Sequence, residues 1–152
     1  MKLVCLIIAC VLHNTYAARD LKGLSKKELA ELEDKVLEEC RVKNNVDKSV
    51  IENIDKQEGK EGPIPDTKEF KCMMGCFAEE LSYIKDNKPQ WETMHEIHQV
   101  EYEDPKDLEK ALKILEVCKT VVPEKDEDKC NLGYEMAKCY LTEAQKVGLE
   151  LI

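Results

Sequence analysis

The residues of this chain best suited to covalent chemistry are its cysteines. Two of the eight lie in an apolar stretch near the N-terminus, and the other six are Cys40, Cys72, Cys76, Cys118, Cys130 and Cys139. An even number of cysteines in an exported chain of this size predicts a disulfide framework. Because bridges would use all six thiols, we expect no cysteine nucleophile. The many carboxylates are predicted to lie mostly on solvated helix faces beside lysines, so we expect no catalytic residue.

The N-terminus predicts export. A short basic start, Met1-Lys2, is followed by ten consecutive apolar residues, Leu3 to Leu12, and small residues around Ala17 suit cleavage by a signal peptidase. We therefore predict a secretory signal peptide at 1–17 and a single secreted domain at 18–152. The apolar run is too short to span a bilayer and no later stretch approaches about twenty residues, so membrane insertion is not expected.

The charge balance argues against several partners. Lysine and arginine total 23 against 32 aspartates and glutamates, and the net charge of −9 becomes about −10 once Lys2 is removed. Such acidity disfavours binding to nucleic acid and to anionic membrane surfaces. His95 and His98 could share a metal ion, but no third ligand is indicated and zinc proteases need histidines at i and i+4. We expect neither a metal nor a cofactor.

Six helices are predicted to position these residues. They run over 26–42, a short segment after Asp47, 66–84, 89–100, 105–120 and 128–146. Ser25 and Asp66 are each followed three residues later by a glutamate, which predicts capping boxes, and Asp104-Pro105 predicts another helix start. No segment alternates apolar and polar residues long enough to predict a strand. The fold class is therefore all-α.

Helix geometry limits how the cysteines can pair. Cys72 and Cys76 lie one turn apart on one helix, with Cβ vectors too far apart for a bond. Cys130 and Cys139 lie about 13.5 Å apart along another helix and on opposite sides of it. Six cysteines allow fifteen pairings in general, and about ten remain after these two exclusions.

The cysteine spacing resembles that of insect odorant-binding proteins of the pheromone-binding and general odorant-binding family. The gaps between successive cysteines are 31, 3, 41, 11 and 8 residues. The gaps of three and eight residues are the family's fixed ones, and the resemblance covers the whole mature chain. It implies a compact bundle of about six helices around an apolar cavity, with bridges Cys40–Cys76, Cys72–Cys130 and Cys118–Cys139.

The function implied by this resemblance is non-enzymatic. Members carry small hydrophobic ligands such as odorants or pheromones through aqueous lymph toward membrane receptors of chemosensory cells. The chain would act as a monomer or weak homodimer. The expected cavity wall, chosen from apolar helix faces, comprises Phe70, Met74, Phe77, Leu81, Ile84, Trp91, Met94, Leu112, Leu115, Met136, Ala137, Tyr140, Leu149 and Leu151. The alternative for each of these residues is that it simply packs in the hydrophobic core, because apolar residues at helical spacing usually do so.

Two features predict regulation of that cavity. His95 and His98 share a helix face with Trp91 and Met94, and partly buried histidines would gain charge between about pH 7 and 5; the alternative is that they face solvent. The last six residues, 147–152, hold four large apolar side chains around Gly148, which is suited to end the helix. We expect this tail to fold over the cavity mouth as a lid; the alternative is packing against a neighbouring helix.

A second class of function remains open. A secreted, disulfide-bonded helical protein can instead act by binding another protein, as salivary, venom or immune factors do, since a fold does not fix a function. Binding of an apolar fluorescent probe would separate the two hypotheses.

Overall fold

The computed structural model describes residue 21 and residues 23–56 and 62–150, so the predicted signal peptide lies outside the described residues. Within these ranges the chain forms six helices and one pair of two-residue strands. The elements are α1 Lys26–Lys43, α2 Lys48–Asp55, α3 Lys68–Glu80, β1 Ile84–Lys85, β2 Lys88–Pro89, α4 Trp91–Glu101, α5 Pro105–Val121 and α6 Lys129–Val147. The all-α prediction is confirmed.

Several helix starts follow the sequence signals. The Ser25 hydroxyl accepts a hydrogen bond from the Glu28 N–H, and the Glu28 carboxylate accepts one from the Ser25 N–H at 2.9 Å. Asp104 caps α5 directly before its proline, and Asp128 caps α6 through the N–H groups of Cys130 and Asn131. Each cap satisfies donors that the first helical turn leaves unpaired.

Helix α3 is shorter than predicted at both ends. Its N-cap is Thr67, whose hydroxyl accepts from the Phe70 N–H at 3.2 Å, whereas Asp66 forms an ion pair with Lys71. The helix ends at Glu80 because Ser82 adopts a left-handed backbone conformation, with φ at 60°. The predicted capping box at Asp66 and the predicted extension to Ile84 are therefore wrong.

A tight hairpin separates α3 from α4. Strands β1 and β2 pair antiparallel, with Ile84 opposite Pro89, across a two-residue turn in which Asp86 and Asn87 both have positive φ. Such turns need positive φ at both central positions, which aspartate and asparagine tolerate better than most residues. Pro89 thus belongs to the hairpin, and α4 begins two residues later than predicted.

Helices α3 and α6 cross so closely that no side chain fits between their backbones at the point of contact. A Cβ atom added to Gly133 would lie 2.4 Å from the Cα atom of Gly75, and one added to Gly75 would lie 2.5 Å from the carbonyl oxygen of Lys129. Both distances are shorter than a carbon contact permits. The two glycines therefore let the helix backbones touch, and the fully buried Phe70 and Met73 of α3 extend the core beside this crossing.

The three predicted disulfides are present. Cys40–Cys76 joins α1 to α3, Cys72–Cys130 joins α3 to α6 and Cys118–Cys139 joins α5 to α6, across sequence separations of 36, 58 and 21 residues. Every helix except α2 and α4 is thus held covalently to the bundle. None of the helices that the structure describes has the length and apolar character needed to cross a membrane.

Candidate ligand-binding cavity

A cavity of about 280 Å³ lies between helices α1, α2, α3, α4 and α6. Its wall consists of Glu33, Asp34 and Leu37 of α1, Ile51 and Ile54 of α2, Phe70, Met74, Phe77 and Ala78 of α3, Met94, His98 and Glu101 of α4, and Gly133, Met136, Ala137, Tyr140 and Leu141 of α6, together with Tyr83 before β1 and Tyr102 after α4. Most of these side chains are apolar or aromatic. The size and lining suit one small lipophile, near the lower end of typical ligand pockets.

The structure brings half of the predicted wall residues together. Those on the wall are Phe70, Met74, Phe77, Met94, Met136, Ala137 and Tyr140. They come from α3, α4 and α6, whose apolar faces converge because α3 and α6 cross so closely. His98 also lies on the wall and is buried, whereas His95 is exposed and lies off it.

The other predicted residues lie elsewhere, for identifiable reasons. Leu81 is fully buried but sits at the C-cap of α3, where the chain turns toward the hairpin that holds Ile84. Trp91 is the first residue of α4 and does not reach the cavity. Leu112 and Leu115 belong to α5, which adds no residue to the wall because it packs on α4 and α6 from outside.

The predicted tail residues are not on the described wall. Gly148 ends α6 in the left-handed conformation, as expected, and Leu149 is buried at 2% exposure. The Gly148 carbonyl accepts a hydrogen bond from Lys110 of α5, which places this end of the chain beside α5. Leu151 lies outside the described residues, so the lid remains a prediction.

Sequence reasoning missed the polar part of the wall. Charge alone favours a solvated surface position for Glu33 and Glu101, yet both line the cavity. A signal for Glu33 exists, since it lies four residues after Leu29 and three before Val36, and both of those residues are buried in α1. A carboxyl at that spacing shares the buried helix face.

Hydrogen bonds and ring contacts connect these polar groups. The Tyr83 hydroxyl donates to Glu33 Oε1 at 2.8 Å, and His98 Nδ1 lies 2.5 Å from Glu101 Oε2. The His98 ring is flanked by Tyr102 edge-on at 5.7 Å and by Tyr140 at 5.2 Å between ring centroids. The histidine is therefore held on three sides, by one carboxylate and two aromatic rings.

Burial keeps several of these groups neutral. It raises the pKa of Glu33 from 4.5 to about 8, and the nearby Glu101 carboxylate adds to the effect. It also raises the pKa of Tyr102 to about 12 and that of Tyr83 well above its usual value. Near neutral pH Glu33 is therefore mostly protonated, because a charged carboxylate in this apolar wall has no cation beside it. No lysine or arginine is among the described residues of the wall.

The sequence profile of the PBP/GOBP family matches residues 22–143. The chain belongs to the PBP/GOBP family. This family assignment agrees with the six-cysteine spacing and supports a carrier of hydrophobic ligands. No curated protein sequence matches this PBP/GOBP chain significantly.

Two solved structures are similar to this PBP/GOBP chain. Odorant binding protein 5 of Apis mellifera superposes with a TM-score of 0.65 at 16% identity, over 81% of this chain and 94% of that one. Odorant-binding protein dmelOBP28a of Drosophila melanogaster gives a TM-score of 0.61 at 25% identity, over 82% of this chain and 99% of that one. The first likeness shows the fold alone, and both cover nearly the whole length of the compared protein.

Proposed function

We propose that this PBP/GOBP chain is a secreted, non-enzymatic carrier of one small hydrophobic molecule. It takes up a lipophile such as an odorant or pheromone in the cavity and carries it through aqueous fluid toward a chemosensory receptor. The observation that supports this best is the cavity itself, which is lined mainly by apolar side chains of five helices. The names of the two similar odorant-binding proteins point the same way.

The energetics suit reversible transport. A ligand gains about 25 cal/mol for each Å² of apolar surface removed from water, and a cavity that is already formed requires little rearrangement. We expect apolar molecules of moderate size to bind with micromolar affinity, which corresponds to about −8 kcal/mol. Affinity in this range permits both uptake and release.

The assay is displacement of an apolar fluorescent probe from the purified mature protein. Ala137, which lies on the wall, and the exposed Lys138 provide a matched pair of adjacent positions on α6. The Ala137→Phe variant should lose most probe binding because the added ring fills part of the cavity, whereas Lys138→Phe should bind normally. Recovered ligand should be chemically unchanged.

Two results would contradict the proposal. If no lipophile displaces the probe, or if Ala137→Phe binds as well as the unmodified chain, the cavity is not a ligand site. Capture of a specific protein partner in the absence of lipophile binding would then favour the second class of function.

A further inference from the structure

Two polar atoms of the cavity wall have no hydrogen-bond partner. Among the residues that the structure describes, His98 Nε2 and Tyr140 Oη are buried and make no hydrogen bond of good geometry, although the Tyr102 hydroxyl lies close to Tyr140 Oη. Both residues line the cavity, and their rings lie 5.2 Å apart with a tilt of 36° between their planes. A buried polar atom without a partner costs about 1–3 kcal/mol. Two such atoms on neighbouring rings of the same wall suit a ligand group that pairs with both.

The contacts of His98 define what this group must offer. Its side chain is 9% exposed, and Nδ1 lies 2.5 Å from the Glu101 carboxylate. A neutral imidazole that donates from Nδ1 leaves Nε2 as an acceptor. The Tyr140 hydroxyl, by contrast, can donate. The complementary ligand group therefore both donates and accepts a hydrogen bond.

The charge of the wall disfavours a ligand that carries a carboxylate group. Glu33, Asp34 and Glu101 are on the wall, and no described wall residue is a lysine or arginine. A ligand carboxylate would lie beside these acids without a cation to balance it, which is unfavourable away from water. An aldehyde or ester can only accept hydrogen bonds, so it would leave Nε2 unpaired.

We propose that the cavity selects apolar molecules that carry one hydroxyl group, which donates to His98 Nε2 and accepts from Tyr140 Oη. This inference rests on the proposed carrier function and names its ligand class. Both atoms are shielded from solvent in the structure, so binding of the hydroxyl requires a rotation of the Tyr140 side chain.

The test compares ligands that share one chain length and differ in their end group. 1-Decanol, decanal, decanoate, decylamine and undecane compete against the fluorescent probe on the mature protein. A net hydrogen bond contributes about 0.5–1.5 kcal/mol, so two of them should make decanol roughly tenfold tighter than undecane. Decanol should also bind more tightly than decanal and decanoate.

A conservative variant isolates the hydroxyl contact. Tyr140→Phe keeps the ring and removes Oη, so it should weaken decanol about threefold to tenfold and leave undecane unchanged. Tyr134→Phe is the matched control, because Tyr134 is a buried tyrosine of the same helix that is not on the wall. As a second measurement, the ¹⁵N resonance of His98 Nε2 should shift with decanol and not with undecane.

The possible outcomes separate the two proposals. If none of the five compounds binds, the carrier function itself fails. If all bind with equal affinity, or decanoate binds as well as decanol, the carrier function stands and the hydroxyl preference is wrong. Tighter binding of decylamine than decanol would also overturn the inference, because the acids and not the unpaired atoms would then select the ligand.

Discussion

Replacing Glu33 by glutamine should stabilise the protein increasingly as the pH rises. Burial raises the pKa of this carboxyl from 4.5 to about 8, so between these values the folded protein keeps a proton that the unfolded chain has lost. Stability conferred by a group with a raised carboxyl pKa is fully present below pH 4.5 and falls as the pH rises toward 8. Glutamine has nearly the same shape, does not titrate, and can still accept the hydrogen bond from Tyr83.

The expected size follows from the pKa difference. Each pKa unit corresponds to about 1.4 kcal/mol, which sets an upper limit of about 5 kcal/mol at pH 8. Because part of the carboxyl still contacts solvent, we expect Glu33→Gln to gain about 2–3 kcal/mol relative to the unmodified protein at pH 8. At pH 4.5 the two proteins should be nearly equal in stability.

Urea unfolding at pH 4.5, 6 and 8 measures this difference directly. Glu38→Gln is the control, since Glu38 lies on the same helix, is exposed, and has its pKa lowered by the hydrogen bond from Arg41; this variant should not gain stability as the pH rises. The reasoning is refuted if the gap between Glu33→Gln and the unmodified protein is the same at every pH, or if the variant is the less stable protein at pH 8.

Five further perturbations test the packing of the bundle and the role of its C-terminal tail. Gly133→Ala should lower stability by about 3 kcal/mol or more, because its Cβ would overlap backbone atoms, whereas Ala at the left-handed Gly148 should cost about 1–2 kcal/mol in the same urea assay. Replacing both Cys72 and Cys130 by serine should cost about 4 kcal/mol in thermal unfolding, since their bridge closes the longest loop, 58 residues. Deleting residues 147–152 should speed ligand release if the tail is a lid. Leu149→Ala should instead lower the free energy of unfolding by about 2–3 kcal/mol without changing the rate of ligand release, because this side chain is buried away from the cavity wall. Faster ligand release from Leu149→Ala with unchanged stability would support the lid.

Capping residues in the sequence predicted a helix start correctly where only one residue was available as the N-cap. Ser25 and Asp104 each cap a helix as expected. At α3 two neighbouring residues competed, and Thr67 became the cap while Asp66 paired with Lys71. Sequence spacing cannot rank two adequate caps, because the choice depends on contacts that only the folded chain provides.

The spacing of apolar residues identified which face of each helix is buried, but not whether that face contacts the cavity or another helix. The stripe of α5 is buried, with Leu115 at 3% exposure, yet it packs against other helices and not the cavity. Conversely, the charge of Glu33 favours a solvated position, although the residue lies between Leu29 and Val36 on a buried helix face. Charge normally excludes a residue from the interior, and this rule fails where a site needs polar groups.

The polar groups whose burial opposes folding all line the cavity. His98 is the only polar residue classed as buried among the described residues, and its unpaired Nε2 lies beside the unpaired Tyr140 hydroxyl and near the protonated Glu33. An apolar replacement at each place would relieve a desolvation penalty, so a sequence shaped by stability alone would not retain all three. Their concentration around the cavity, and their absence from the described α3–α6 crossing, is what selection for a ligand with a polar end would produce. By this argument Tyr140→Phe should yield a protein that is more stable and less selective, because the same hydroxyl that lacks a partner in the folded chain supplies the contact to the ligand.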